Sequence, residues 1–210
     1  MKICYLANAQ SIHTYRWVQY FAQRGHQVSL VSLKEPKFDY GKVEVKVIKK
    51  IRHKSGAISH LMNFLPVFFQ IKKILKKNNP NILHVISVAG EGWLGTIAGF
   101  HPLVITTGGT DVLINPKEFK GYEILTRRTL KKADLITCDG ENGKTAMIDL
   151  GANPKKIKII HFGVEIDKFK PGMKDENLKK ELFGEGGKII LSTKPLRREC
   201  SVETLIKAIK

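Results

Sequence analysis

The chain has 210 residues, with 36 Lys and Arg against 19 Asp and Glu, a net charge of +17, and 42% hydrophobic residues. That balance excludes a disordered chain, and the length suits one domain plus part of another. Three scattered cysteines, Cys4, Cys138 and Cys200, exclude a disulfide framework and a CxxC metal site.

No apolar run reaches the roughly 18 residues that suggest a membrane span. Met1 leads straight into strand-like sequence without a basic stretch ahead of a long apolar one, so a cytoplasmic location is expected. The basic excess is uneven: residues 1–90 hold 15 basic and 3 acidic residues. An anionic partner fits that excess, whether a phospholipid surface, a nucleic acid or a phosphorylated small molecule; solubility charge is the plainer alternative.

Residues 2–7 read as a short buried strand, followed by the polar loop Asn8-Ala9-Gln10-Ser11. A helical pattern covers 12–24, and Gly25 stops it. Residues 27–33 form the second strand. Val43, Val45 and Val47 alternate with charged residues, as in a half-exposed or edge strand. A long helical stretch spans 57–77, interrupted or started by Pro66. Strand 81–87, helix 91–100, strand 103–107, helix 118–132, strand 134–138, helix 142–150 and strand 156–160 follow. Alternating units of this kind predict an α/β fold, a doubly wound parallel sheet with helices on both faces. The working loops then lie beyond the carboxyl ends of the strands, at 8–13, 87–92, 107–111, 139–144 and 161–167.

The character changes at 162–187, a polar, glycine-bearing linker with a short helix at 177–183. A new strand at 188–192 and a helix at 202–209 follow. This predicts a first domain over 1–161, a linker over 162–187 and the start of a second domain over 188–210.

Within the working loops, Gly109, Thr110 and Asp111 follow an apolar strand; the glycine lets backbone approach a ligand, and Asp111 can accept hydrogen bonds from sugar hydroxyls. The plainer alternative is a turn with Asp111 as a cap. His13 and Arg16 lie near the start of the first helix, where the dipole favours an anion. Glu91 opens another helix, where it either binds acceptor hydroxyls or simply complements the dipole. His84 and His161 sit near strand ends, and Cys138 reads as a small core residue.

The stretch 57–77 has apolar residues around more than half of its helical wheel, more than one buried face requires. Lys72, Lys73, Lys76 and Lys77 close it, and Lys42, Lys46, Lys49, Lys50, Arg52 and Lys54 precede it. Basic residues beside excess apolar surface suit contact with an anionic membrane through Lys42–Lys77. A buried helix whose lysines complement its dipole is the alternative.

Five segments in order resemble glycosyltransferase family 4: Arg24-Gly25-His26-Gln27-Val28, Ile82-Leu83-His84-Val85, Val104 through Asp111 (in place of the family's HGxD loop), Ala133-Asp134-Leu135-Ile136-Thr137, and Gly163 through Pro171 (resembling GVDxxxFxP). The resemblance implies the N-terminal, acceptor-side half of a GT-B architecture, in which two Rossmann-like domains face each other across a cleft. It implies retaining transfer of a sugar from a nucleotide-sugar donor to an acceptor, lipid-linked or polysaccharide, with no cofactor and no metal. No Asp-x-Asp pair is present. The donor phosphates would meet the loop at Asn8, Ala9 and Gln10, which here lacks the family's usual glycines. Lys194 would help to neutralise the diphosphate. His13, Arg16, Glu91, Gly109, Thr110 and Asp111 would serve the acceptor, although Gly108 stands where the family has a histidine. The family's paired glutamates are not among these residues, so the chain is expected to fold without transferring sugar alone. A non-enzymatic, basic, polyanion-binding module is the alternative reading; no sequence-specific nucleic-acid motif is present.

Overall fold

The computed structural model describes residues 1–48, 57–172, 174–184, 189–196 and 200–209, with the side chains of 57–63 excepted. Lys49, Lys50, Arg52, Lys54 and Lys188 therefore lie outside the described residues. The chain divides into two compact units, Met1–Phe162 and Gly163–Lys210.

The first unit is built on seven strands: β1 (Lys2–Leu6), β2 (Gln27–Ser32), β3 (Glu44–Val47), β4 (Ile82–Ile86), β5 (Leu103–Thr106), β6 (Leu135–Cys138) and β7 (Ile157–Ile159). They form one parallel sheet in the order β3-β2-β1-β4-β5-β6-β7. The half-exposed β3, read from its alternating valines, is indeed an edge strand. The chain winds outward from β1 through β2 to β3, then returns to β4 and winds the other way. The winding reverses between β1 and β4, the place where an open parallel sheet leaves a crevice beyond its carboxyl ends.

Strand periodicity divides the core between two faces. Ile3 and Tyr5 of β1 join Val28 and Leu30 under Val18 of α1 (Ile12–Gln23). Cys4 and Leu6 join Leu83, Val85, Ile105 and Ile136 on the other face. That second face is covered by α2 (Ala57–Asn78), α3 (Glu91–Ala98), α6 (Lys120–Lys132) and α7 (Glu141–Asp149), through Ile71, Leu94, Leu130 and Met147 among others. Near-continuous apolar strands follow from this burial on both sides.

Helix α2 runs unbroken through Pro66, so the proline neither starts nor interrupts it. Helix α6 occupies the stretch expected over 118–132, and two short helices not read from the sequence come before it, giving the order α4 (Thr110–Leu113), α5 (Asn115–Glu118) and α6. Phe119, extended at φ −149° and ψ 124°, separates the last two. Pro116 at the start of α5 lacks an N–H, which suits a first helical turn.

In the second unit, α8 (Glu176–Phe183) is capped by the Asp175 carboxylate, which accepts from the Leu178 N–H at 2.9 Å. A short helix, α9 (Val202–Ala208), follows. The strand expected over 188–192 is absent from its described part: residues 189–192 are irregular and exposed, and no strand among the described residues pairs with them. No helix among the described residues is long and apolar enough to cross a membrane.

Candidate functional site at the strand ends

Three loops meet beside the point where the winding reverses, after β1, β4 and β5. Each is held by a different device.

The loop after β1 folds on itself. The Asn8 side chain accepts from the Gln10 N–H at 3.0 Å, and the Asn8 carbonyl accepts from the Ser11 N–H at 3.1 Å. Ala9 is fully buried; its N–H donates to Ser32 Oγ at 3.0 Å and its carbonyl accepts from Tyr40 Oη at 3.0 Å. The backbone amides of Ala9, Gln10 and Ser11 are thus engaged within the chain, leaving the exposed Gln10 side chain and the first turn of α1 to face a ligand. His13 and Arg16 are both exposed on that helix. The His13 ring packs on Phe162 at 4.5 Å, while His161 Nδ1 donates to the Asp139 carbonyl at 2.6 Å. The exit of the first unit is thereby laid beside the start of α1.

The loop after β4 is strained. Ser87 has φ +96°, a region that a residue with a Cβ rarely occupies. Gly90, at φ +57°, leads into α3 with Glu91 in its first turn. Two glycines seat this helix. A Cβ on Gly92 would lie 2.7 Å from the Ser87 carbonyl oxygen, and one on Gly95 would lie 2.8 Å from Val85 Cγ2.

Asp111 ties this loop to the one after β5. Its Oδ2 accepts from the Val88 N–H at 2.8 Å and its Oδ1 from the Gly108 N–H at 3.0 Å. The residue is only 5% exposed. Burial raises its pKa above the usual carboxylate range, opposed by the two backbone donors and the Ser87 side chain. Expected as an acceptor for sugar hydroxyls, Asp111 instead has both oxygens turned to the backbone; in this arrangement it positions neighbouring groups. Gly108 and Thr110 remain exposed beside it, and Gly109 takes φ +99°.

Beneath the loops runs a buried polar row across three strands. His84 Nε2 and Thr106 Oγ1 are 2.7 Å apart, and Thr106 Oγ1 and Thr137 Oγ1 are 2.6 Å apart. The His84 ring also meets Tyr5 at 4.8 Å and Trp17 at 5.1 Å. Burial pushes its pKa down to about 3, so the imidazole is neutral at ordinary pH. The row supports the strand ends from below and does not reach solvent. Cys138 is buried among the apolar residues of the other face.

The fold thus places the loops bearing Asn8, Ala9, Gln10, His13 and Arg16 next to those bearing Glu91, Gly109, Thr110 and Asp111. Lys194 lies in the second unit, exposed. The clamping roles of Ser32 and Tyr40 and the strained Ser87 were not singled out from sequence. Ser87 carried a weak signal, as a small polar residue between an apolar strand and Val88-Ala89-Gly90. Among the described residues no group of three or more His, Cys, Asp or Glu is placed to hold a metal ion.

Residues 2–140 match the family model described as glycosyl transferase 4-like. No curated protein matches the chain. Among solved structures, HepE of Anabaena in complex with UDP-glucose is 16% identical at a TM-score of 0.63, over 87% of this chain and 50% of that one. Sucrose-phosphate synthase from Thermosynechococcus elongatus is 11% identical at 0.64, over 87% and 52%. A glycosyltransferase from Rickettsia africae is 20% identical at 0.59, over 85% and 48%. The chain therefore spans about half the length of these structures, and at such identities the likeness establishes the fold.

Proposed function

The chain belongs to the glycosyl transferase 4-like family, and from that premise we propose that residues 1–162 are the acceptor-side domain of a retaining glycosyltransferase that uses a nucleotide-sugar donor. The observation that carries this reading is the coincidence of two spans. The family match over 2–140 includes all three loops gathered where the winding reverses, and two of them are tied together by a buried carboxylate. UDP and UDP-glucose in the HepE structures support the donor class.

In this reading the first unit orients the acceptor, which is catalysis by positioning. Gly108, Gly109 and Thr110 offer backbone and hydroxyl groups to the acceptor beside Glu91, His13 and Arg16. Asp111 acts by fixing the two loops and touches no substrate. The acceptor hydroxyl attacks the anomeric carbon on the face that the nucleotide leaves, and Lys194 in the second unit helps to stabilise the departing diphosphate electrostatically. The acceptor is lipid-linked or a polysaccharide, and the reaction proceeds without a catalytic metal.

A thermal-shift panel of the chain against UDP-, GDP- and ADP-sugars and simple hexoses tests the reading. A ligand at ten times its Kd adds about 1.4 kcal/mol, a rise of about 3–6 °C for a domain of this size. At least one sugar or nucleotide sugar is expected to produce such a rise. A flat response across the panel at millimolar ligand contradicts the proposal. Where transfer is observed, the anomeric coupling constant of the product reports retention or inversion.

A further inference from the structure

We propose that the outer surface of α2 and α6 docks on an anionic bilayer and turns the strand-end loops towards it. The inference deepens the lipid-linked side of the proposed function by naming the surface that presents the acceptor.

Sequence supplies the first observation. Between Glu44 and Glu91 there is no acidic residue. The structure sorts this stretch by position along α2. In its middle, Leu65 and Phe69 are 54% and 62% exposed, one helical turn apart on the same side. Phe68 joins them, its ring 6.4 Å from Phe64 and 5.3 Å from Phe69. In the last turns the exposed residues are Lys72, Lys73, Lys76 and Lys77, and Lys72 Nζ stands 5.5 Å from the Phe68 ring centroid. The buried side of the helix is carried by Val67, Ile71, Ile74 and Leu75. The apolar excess read from the helical wheel therefore divides into a core face and an exposed patch.

The second observation is that α6 repeats the order. Phe119, immediately before it, and Ile124 within it are 65% and 59% exposed; Arg128, Lys131 and Lys132 are exposed further along. Helix α3 packs against both α2 and α6, so the two patches flank it on one side of the sheet. Both helices precede strands of a parallel sheet and run opposite to them. Their apolar parts therefore lie towards the carboxyl ends of the strands, with the working loops, and their basic parts behind. Of the nearby acids, Glu123 is paired with Arg127 at 2.8 Å and Glu118 is exposed.

Exposed aromatic and aliphatic tips beside a cationic field are what binding to the headgroup region of an anionic membrane requires. A soluble polyanion would use the lysines and leave Leu65, Phe69, Phe119 and Ile124 without a role, which favours the bilayer as the occupant.

The test is sedimentation of the 210-residue chain with vesicles of phosphatidylcholine alone and of 70:30 phosphatidylcholine to phosphatidylglycerol. Binding is expected only to the anionic vesicles. The Lys72→Gln, Lys73→Gln, Lys76→Gln triple variant is expected to lose about a hundredfold in partitioning, at about fivefold per cation. Leu65→Ser with Phe69→Ser is expected to lose at least about tenfold from apolar contact at unchanged circular dichroism. Lys155→Gln with Lys158→Gln, near the far edge of the sheet, is the control and is expected to keep wild-type binding. Equal binding to both vesicle types overturns the proposal. So does an unaffected Leu65/Phe69 variant, or a control that falls as far per cation as the triple variant. Binding to a nucleic-acid duplex but not to vesicles overturns it in favour of a soluble polyanion partner. The readout needs no donor or acceptor sugar, so its failure leaves the thermal-shift test of the proposed function standing.

Discussion

Replacing a helical glycine by alanine should have opposite signs at two sites in this fold. In an open helix interior the change gains about 1 kcal/mol from helix propensity and the reduced freedom of the unfolded chain. Gly143, buried in the first turn of α7, has room for the methyl group: its added Cβ would lie 3.6 Å from Cys138 Cβ, an ordinary contact. Gly143→Ala is therefore expected to stabilise by about 0.5–1 kcal/mol. Gly92 in α3 has no such room. Its Cβ would come within 2.7 Å of the Ser87 carbonyl oxygen, a backbone atom at the strained corner of the β4 loop, which no rotamer change can move. Overpacking of this kind costs about 1–3 kcal/mol. At the upper end, set against the propensity gain, Gly92→Ala is a net loss of about 2 kcal/mol. At about 2–4 °C per kcal/mol, thermal unfolding followed by circular dichroism should show Gly92→Ala lower by about 4–8 °C and Gly143→Ala higher by about 1–4 °C. The reasoning is refuted if Gly92→Ala melts at or above wild type, or if both variants shift the same way.

Asp111→Ala should leave the Val88 and Gly108 N–H groups without their carboxylate; at about 1–3 kcal/mol for each unsatisfied donor, a net loss of about 3 kcal/mol in urea unfolding is expected. Faster hydrogen exchange at those two amides would accompany it, and unchanged exchange would show that the carboxylate does not hold the loops. His84 gives a pH dependence. Its folded pKa, about 3, lies below the ordinary 6.5, so between those values the unfolded chain binds a proton that the folded chain does not. Its contribution is fully present above pH 6.5 and is lost as pH falls, about 2 kcal/mol between pH 7 and pH 5. Urea midpoints at the two pH values should show this loss for wild type and a smaller one for His84→Gln; equal losses would place the titrating group elsewhere.

The sheet was legible because parallel strands buried on both faces leave apolar runs of a length that helices do not share, while the edge strand β3 showed instead in the alternation of its valines. Among the glycines and prolines, Gly25 marked a boundary well, whereas Gly99, the left-handed cap of α3, was read into a helix over 91–100. The proline signal misled at Pro66, where the continuous helix packs Val67, Ile71 and Ile74 into the core. The break at Phe119 has no turn signal, being an extended aromatic between two helical segments. At the site, sequence located the loops and could not orient the side chains. Whether Asp111 faces solvent or the backbone depends on Val88, 23 residues away. The amides of Ala9 look available until Ser32 and Tyr40 are brought against them across the sheet. Such pairings join residues far apart in sequence that only the order of strands in the sheet brings together.

The most direct measurement of the central claim is amide chemical-shift mapping of the isotopically labelled chain titrated with glucose and with UDP-glucose. The account predicts saturable shifts in residues 8–14, 87–91 and 108–111, with those of 8–14 persisting in Asp111→Ala while those of 87–91 and 108–111 weaken. Shifts confined to the lysine-rich end of α2, or none at saturating ligand, would contradict the assignment of these strand ends as a sugar-handling site.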